Sequence, residues 1–189
     1  MKTTAIQQMT AEHRHIETVI QFLQGAVAAL EQPKPLPVGP LREAVEFLRV
    51  YADQRHHQRE EALFFPLLVK RGVPPQGCPI GGLNNDHAKG RAFAAALEEK
   101  ISAYEQQQPG AATALRQTLQ EVIQLYRHHL WMEDAMVFPM AERLLSEADN
   151  QELLARFAEL DRALGPETVA RWEQFATRLA APANASGGA

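Results

Sequence analysis

The stretch YRHHLWMEDAMVFPMAERLL (Tyr126–Leu145) has the spacing of a helix, yet it sets His and Glu where a buried apolar stripe should run. An earlier stretch, ADQRHHQREEALFFPLL (Ala52–Leu68), does nearly the same. Both write a His-His, a carboxylate pair and then Phe-Pro. Around them the apolar spacing is helical. Leu115, Leu119, Val122, Tyr126, His129, Glu133, Val137 and Met140 align on one face. Leu41, Val45, Leu48, Ala52, His56, Glu60, Leu63 and Leu67 align on another. Pro139 and Pro66 should kink the last turns of these two helices.

Two further stripes flank them. Met9, His13, Ile16, Ile20, Leu23, Val27 and Leu30 form one stripe, with Thr10 an expected N-cap near its start. His87, Gly90, Ala94, Leu97, Ile101 and Tyr104 follow caps offered by Asn84–His87. The breaks are EQPKPLPVGP (Glu31–Pro40), RGVPPQGCPIGG (Arg71–Gly82) and QPG (Gln108–Gly110). No convincing strand appears. The fold class is all-α: an antiparallel four-helix bundle over 1–148, with short C-terminal helices over 149–181 packed on it. These begin near Asn150 and Pro166. Residues 182–189, within APANASGGA, read as a disordered tail.

Composition narrows the function. A single cysteine, Cys78, excludes an intrachain disulfide and fits a reducing compartment. A net charge of −4 over 189 residues leaves no basic footprint for nucleic acid. MKTTAIQQMT lacks the apolar run of a signal peptide, and no stretch is apolar enough to span a membrane. A cytoplasmic location is the expectation. No protein partner can be read from the chain.

The polar residues on the apolar stripes are the informative ones. At about 100° per residue, His129 and Glu133 fall within the core arc of their helix, and His56 and Glu60 lie beside that of theirs. The doubled neighbours His57, His128, Glu61 and Asp134 point farther round. They are expected to be satisfied or solvated, as is His15. Depth agrees. From His13 the first helix runs out about 27 Å, and the second returns about 24 Å to His56. His87 and His129 repeat this. His13 to His56 spans 43 positions and His87 to His129 spans 42. Glu60 precedes Pro66 by the same offset as Glu133 precedes Pro139, which pairs His56 with His129 and Glu60 with Glu133.

Four imidazoles and two carboxylates in one core are costly without a partner. Two divalent cations resolve this. His and Glu at i and i+4 share a helix face and reach one centre. The two Glu bridge, and two His terminate each metal. Iron is the expected pair, with manganese or zinc compatible with the same donors. Six protein ligands leave open positions for a small molecule. Glu12 and Asp86 either orient ligands or favour helix N-termini. Met132, Met136 and Met140 read as core packing, and Cys78 as incidental.

The EHRHI start, the HHxxEExLFFP block, the DHxxGR segment and the HHxxxEDxxVFPMA block, over about residues 9–145, resemble the hemerythrin-like HHE cation-binding domain. The resemblance implies a non-heme di-iron centre in a four-helix bundle, with ligands His13, His56, Glu60, His87, His129 and Glu133. Oxygen-carrying hemerythrins place a further His four residues after the third-helix His. Here that residue is Arg91, read as a solvated Arg with a packed stem. The symmetric pattern is more like bacterial di-iron proteins proposed for iron–sulfur cluster repair and the nitric oxide response. Three functions follow: binding of oxygen, nitric oxide or peroxide; an enzyme or iron donor in nitrosative or oxidative stress; or a structural bundle stabilised by metal.

Overall fold

The computed structural model describes residues 4–180, so the tail over 182–189 lies outside the described residues. Among them the regular structure is entirely helical. Helix α1 is Ala5–Ala29, α2 covers 38–70, α3 is Ile80–Glu105, α4 covers 111–144, α5 is Glu147–Leu164 and α6 is Pro166–Ala180.

Local chemistry sets the ends. The cap of α1 is Thr4, not Thr10. Thr4 Oγ1 accepts the Gln7 N–H, and Gln7 Oε1 accepts the Thr4 N–H, a reciprocal capping box that sequence periodicity could not locate. Ser146 and Asp149 cap α5 in the same way. Helix α3 begins at Ile80, ahead of the expected Asn84–His87, whose residues lie inside it. Gly110 opens α4 at φ 77°, a conformation that disfavours a side chain.

Neither proline ends its helix. Helices α2 and α4 continue through Pro66 and Pro139, each preceded by a π-helical segment, Glu60–Phe64 and Glu133–Val137. The wider turn accommodates the proline ring, which would otherwise clash with the carbonyl four residues back. A longer π-helical segment, Leu48–His57, lies farther up α2.

Each of the first four helices borders its chain neighbours, and α4 borders α1, closing the bundle. The buried apolar residues form two clusters. One includes Ile16, Leu23, Phe47, Tyr51, Leu97, Leu119 and Tyr126. The other includes Met9, Phe64, Phe65, Leu68, Leu83, Val137 and Phe138. Burying each such large side chain contributes about 1.5–3 kcal/mol. A layer of His and Glu falls between the clusters on all four helices.

Helices α5 and α6 extend these cores. Phe157 of α5 joins the second cluster, and Trp172, Phe175 and Ala176 of α6 join the first. Asn150 Oδ1 accepts the Ala5 N–H at 2.7 Å, tying α5 to the start of α1. Of the expected methionine stripe, Met132 and Met140 pack against the core, but Met136 is exposed. Among the described residues no helix is long and apolar enough to cross a membrane.

Candidate metal centre

His13 comes from α1, His56 and Glu60 from α2, His87 from α3, and His129 and Glu133 from α4. All six are at most 2% exposed. The Nε2 atoms of His13 and His56 lie 3.0 Å apart. Glu60 Oε1 lies 3.6 Å from His56 Nε2, and its other oxygen lies 3.3 Å from His87 Nε2. Glu133 Oε2 lies 3.2 Å from His13 Nε2 and 3.3 Å from His129 Nε2.

A seventh donor joins them. His57 is buried, stacks on His87 with ring centroids 3.9 Å apart, and shares a ligand-distance group with Glu60, His87 and His129. His13, His56, Glu60 and Glu133 form the other such group. His57 differs from the expectation of a residue pointing away from the core. That expectation needs about 100° per residue, and Leu48–His57 is π-helical, with fewer degrees per residue.

The Nε2 atoms converge, while the Nδ1 atoms face carboxylates. His13 Nδ1 meets Asp134 Oδ1 at 2.9 Å, His56 Nδ1 meets Glu12 Oε2 at 2.9 Å, and His87 Nδ1 meets Glu61 Oε1 at 2.8 Å. His57 Nδ1 lies 3.4 Å from Asp53 Oδ1. A carboxylate behind a ligating imidazole fixes its ring and tautomer, with the free nitrogen aimed at the metal. Glu61 and Asp134 therefore support ligands and are not merely solvated. Asp86 does not orient a ligand; it faces Lys89 and the exposed His128. Arg91 bridges Asp53 at 2.8 Å and Glu61 at 3.1 Å, behind two supporting carboxylates. His15 is satisfied by the Tyr51 hydroxyl at 2.8 Å.

The electrostatics describe a site built for cations. Burial alone would neutralise every carboxylate and imidazole in it. Burial raises the Glu60 carboxyl, yet His56, His87 and His129 outweigh it and hold it well below the ordinary range. Burial and the charge on Glu60 push Glu133 up to about 8. His13 rises to about 10, because Asp134 and Glu133 overcome its burial. Burial and the surrounding imidazoles hold His57 and His129 well below the usual range, so they present lone pairs.

The fit to metal rests on orphaned atoms. Both oxygens of Glu60 and of Glu133, and Nε2 of His57, His87 and His129, are buried without hydrogen-bond partners. Uncompensated, such a cluster of polar and charged groups costs several kcal/mol. Every one of these atoms is a metal donor, and they face one another.

Comparison with known proteins agrees. The family model described as the hemerythrin HHE cation-binding domain matches residues 4–141. An uncharacterized protein of Mycobacterium bovis and another of Mycobacterium tuberculosis are each 22% identical over 156 residues, covering 82% of this chain and 60% of theirs. The chain thus spans about three fifths of the length of these curated relatives. No solved structure matches it.

Proposed function

The chain belongs to the hemerythrin HHE cation-binding family, and on that premise we propose that it holds two iron ions and binds a small ligand, oxygen, nitric oxide or peroxide, at that pair. The observation that carries this reading is the sharing of Glu60 between the two ligand groups. Its two oxygens face His56 on one side and His87 on the other, the geometry of a carboxylate that spans two cations. His13 and His56 would serve one position, and His57, His87 and His129 the other, with Glu133 as the second bridge. Mixed nitrogen and oxygen donors suit iron, which when bound supplies redox chemistry and positions for an added ligand.

The protein's own residues define what can reach the pair. The donors lie between two apolar clusters that exclude bulk water. A cavity of about 70 Å³, lined by residues that include Leu48, Asp53, Gly90, Arg91 and Tyr126, lies beyond the Tyr126 ring, and none of the candidate ligands lines it. Tyr126 stacks on His57 at 6.2 Å and forms one wall. Gly90 lies close to this ring: a Cβ there would sit 3.4 Å from the Tyr126 hydroxyl, at ordinary contact.

Metal analysis combined with a visible spectrum tests the proposal. The expected result is two irons per chain and a spectrum that changes on addition of oxygen, nitric oxide or peroxide. A single redox-silent zinc, or a spectrum indifferent to all three, would refute it.

A further inference from the structure

Helices α5 and α6 lie beyond residues 4–141, the span matched by the family model, yet they reach the centre through two buried arginines of α2. Arg59 is wholly buried. Its Nη1 donates to Glu12 Oε1, its Nη2 lies 2.5 Å from Asp161 Oδ1, and its guanidinium sits 4.8 Å from the Phe157 ring centroid. Phe157 and Asp161 are four apart on α5, so one helix face presents both a ring and a carboxylate to the same guanidinium. Arg55, one turn away, donates from Nε to Asp161 Oδ1 at 2.9 Å and from Nη2 to Oδ2 at 3.2 Å. Its Nη1 lies 3.5 Å from Glu12, and its Nη2 lies 3.6 Å from Glu173 of α6. The remaining oxygen of Glu12 faces His56 Nδ1.

The charges explain the arrangement. Two buried guanidiniums beside Glu12 alone would leave excess positive charge next to a site for cations. Asp161 offsets it, accepting from the Arg55 fork with both oxygens and pairing by charge with the Nη2 end of Arg59. The Arg59 position has no charged counterpart in the other half, where alignment on the bridging glutamates puts Met132. This support therefore acts on one metal position and not on both.

We propose that Asp161 is a positioning residue for the metal centre: through Arg55 and Arg59 it holds Glu12, and through Glu12 it holds the His56 imidazole in its ligating orientation. The C-terminal helices are then a working part of the site. This inference rests on the dinuclear ligand assignment, but its first test needs no metal.

The test uses the full chain, ¹⁵N-labelled and metal-free, with Asp161→Asn and the conservative Asp161→Glu. Circular dichroism verifies that each variant is helical. The His56 Nδ1 resonance should move in Asp161→Asn and return toward its original position in Asp161→Glu. The His87 Nδ1 resonance, supported by Glu61, should stay in place. An unmoved His56 signal, or equal shifts of both, overturns the proposal. Zinc titration of the same proteins gives the second readout. Asp161→Asn should weaken one of two binding events about tenfold, within the range for losing an outer partner, and leave the other unchanged. Equal weakening of both events, or a lower melting temperature with both affinities intact, overturns it as well. If the unmodified chain binds fewer than two zinc ions, the dinuclear reading fails, while the resonance test still decides the role of Asp161.

Discussion

His87 and His13 occupy matching positions in the two halves of the bundle, and each is enclosed in the same way by the return helix of the other hairpin. Around His87, Glu60 faces Nε2, Glu61 holds Nδ1 and Phe65 stacks on the ring at 5.9 Å. Around His13, Glu133 faces Nε2, Asp134 holds Nδ1 and Phe138 stacks at 5.1 Å. The offsets are identical: a carboxylate, the next residue, and the Phe of Phe-Pro. The repeated phrase in the sequence is therefore a receptor for an imidazole on another helix, and the π-helical turn between the acids and the Phe shapes it. The halves differ where the second His of each is supported. His56 Nδ1 meets Glu12, whereas His129 Nδ1 is buried without a partner. Asp86, the counterpart of Glu12, is one methylene shorter and faces away. The His87–His129 side instead has His57, contributed by the first half, whose aligned residue in the second half is Leu130. The two halves share the receptor, and their differences would make the two proposed metal positions unequal.

The largest expected break in this comparison comes from Glu60→Ala. If Glu60 spans both positions, a helical variant retains neither metal, and metal analysis should fall from two equivalents to none. Retention of one would show that Glu60 serves a single position. A pH series should give the next largest effect. In the metal-free chain Glu133, raised to about 8, and His13, raised to about 10, both carry protons at neutral pH. Both must lose them to ligate, so binding releases protons and affinity rises with pH. The expected slope is about a hundredfold per unit below 8 and about tenfold per unit from there towards 10. Calorimetry in buffers of differing ionisation enthalpy measures the release directly, and a flat profile contradicts it.

His57→Leu copies the other half's residue into this position. As the loss of a proposed ligand, it should weaken one of the two binding events by more than the roughly hundredfold that an outer partner costs at most, and spare the other. Glu12→Gln should weaken the opposite event by about tenfold, read in the same stepwise titration. Asp86→Asn should change neither event, because Asp86 orients no ligand. A loss there equal to that of Glu12→Gln would erase the asymmetry described above.

The bundle was legible in the four apolar stripes, and the common depth of His13 with His56 was legible from helix length alone. The pairing of Glu60 with Glu133 came from the two prolines. His57 was hidden because a helical wheel presumes uniform winding, and the π-helical segment breaks that premise. Glu61 and Asp134 carried a readable signal, the tandem acids at matching places. Phase counted them as solvated, although each reaches past its own helix to an imidazole on another. Arg55 and Arg59 were illegible for a different reason. Their partners lie about a hundred positions later, on helices whose placement no local pattern gives.

The donors' burial has a kinetic consequence. With every candidate ligand at most 3% exposed, a chelator could not touch a cation bound there while the bundle is closed. Stripping then waits on local opening of the helices. At high chelator concentration the rate of metal loss should level off at the opening rate, making the cation a reporter of how often this core breathes.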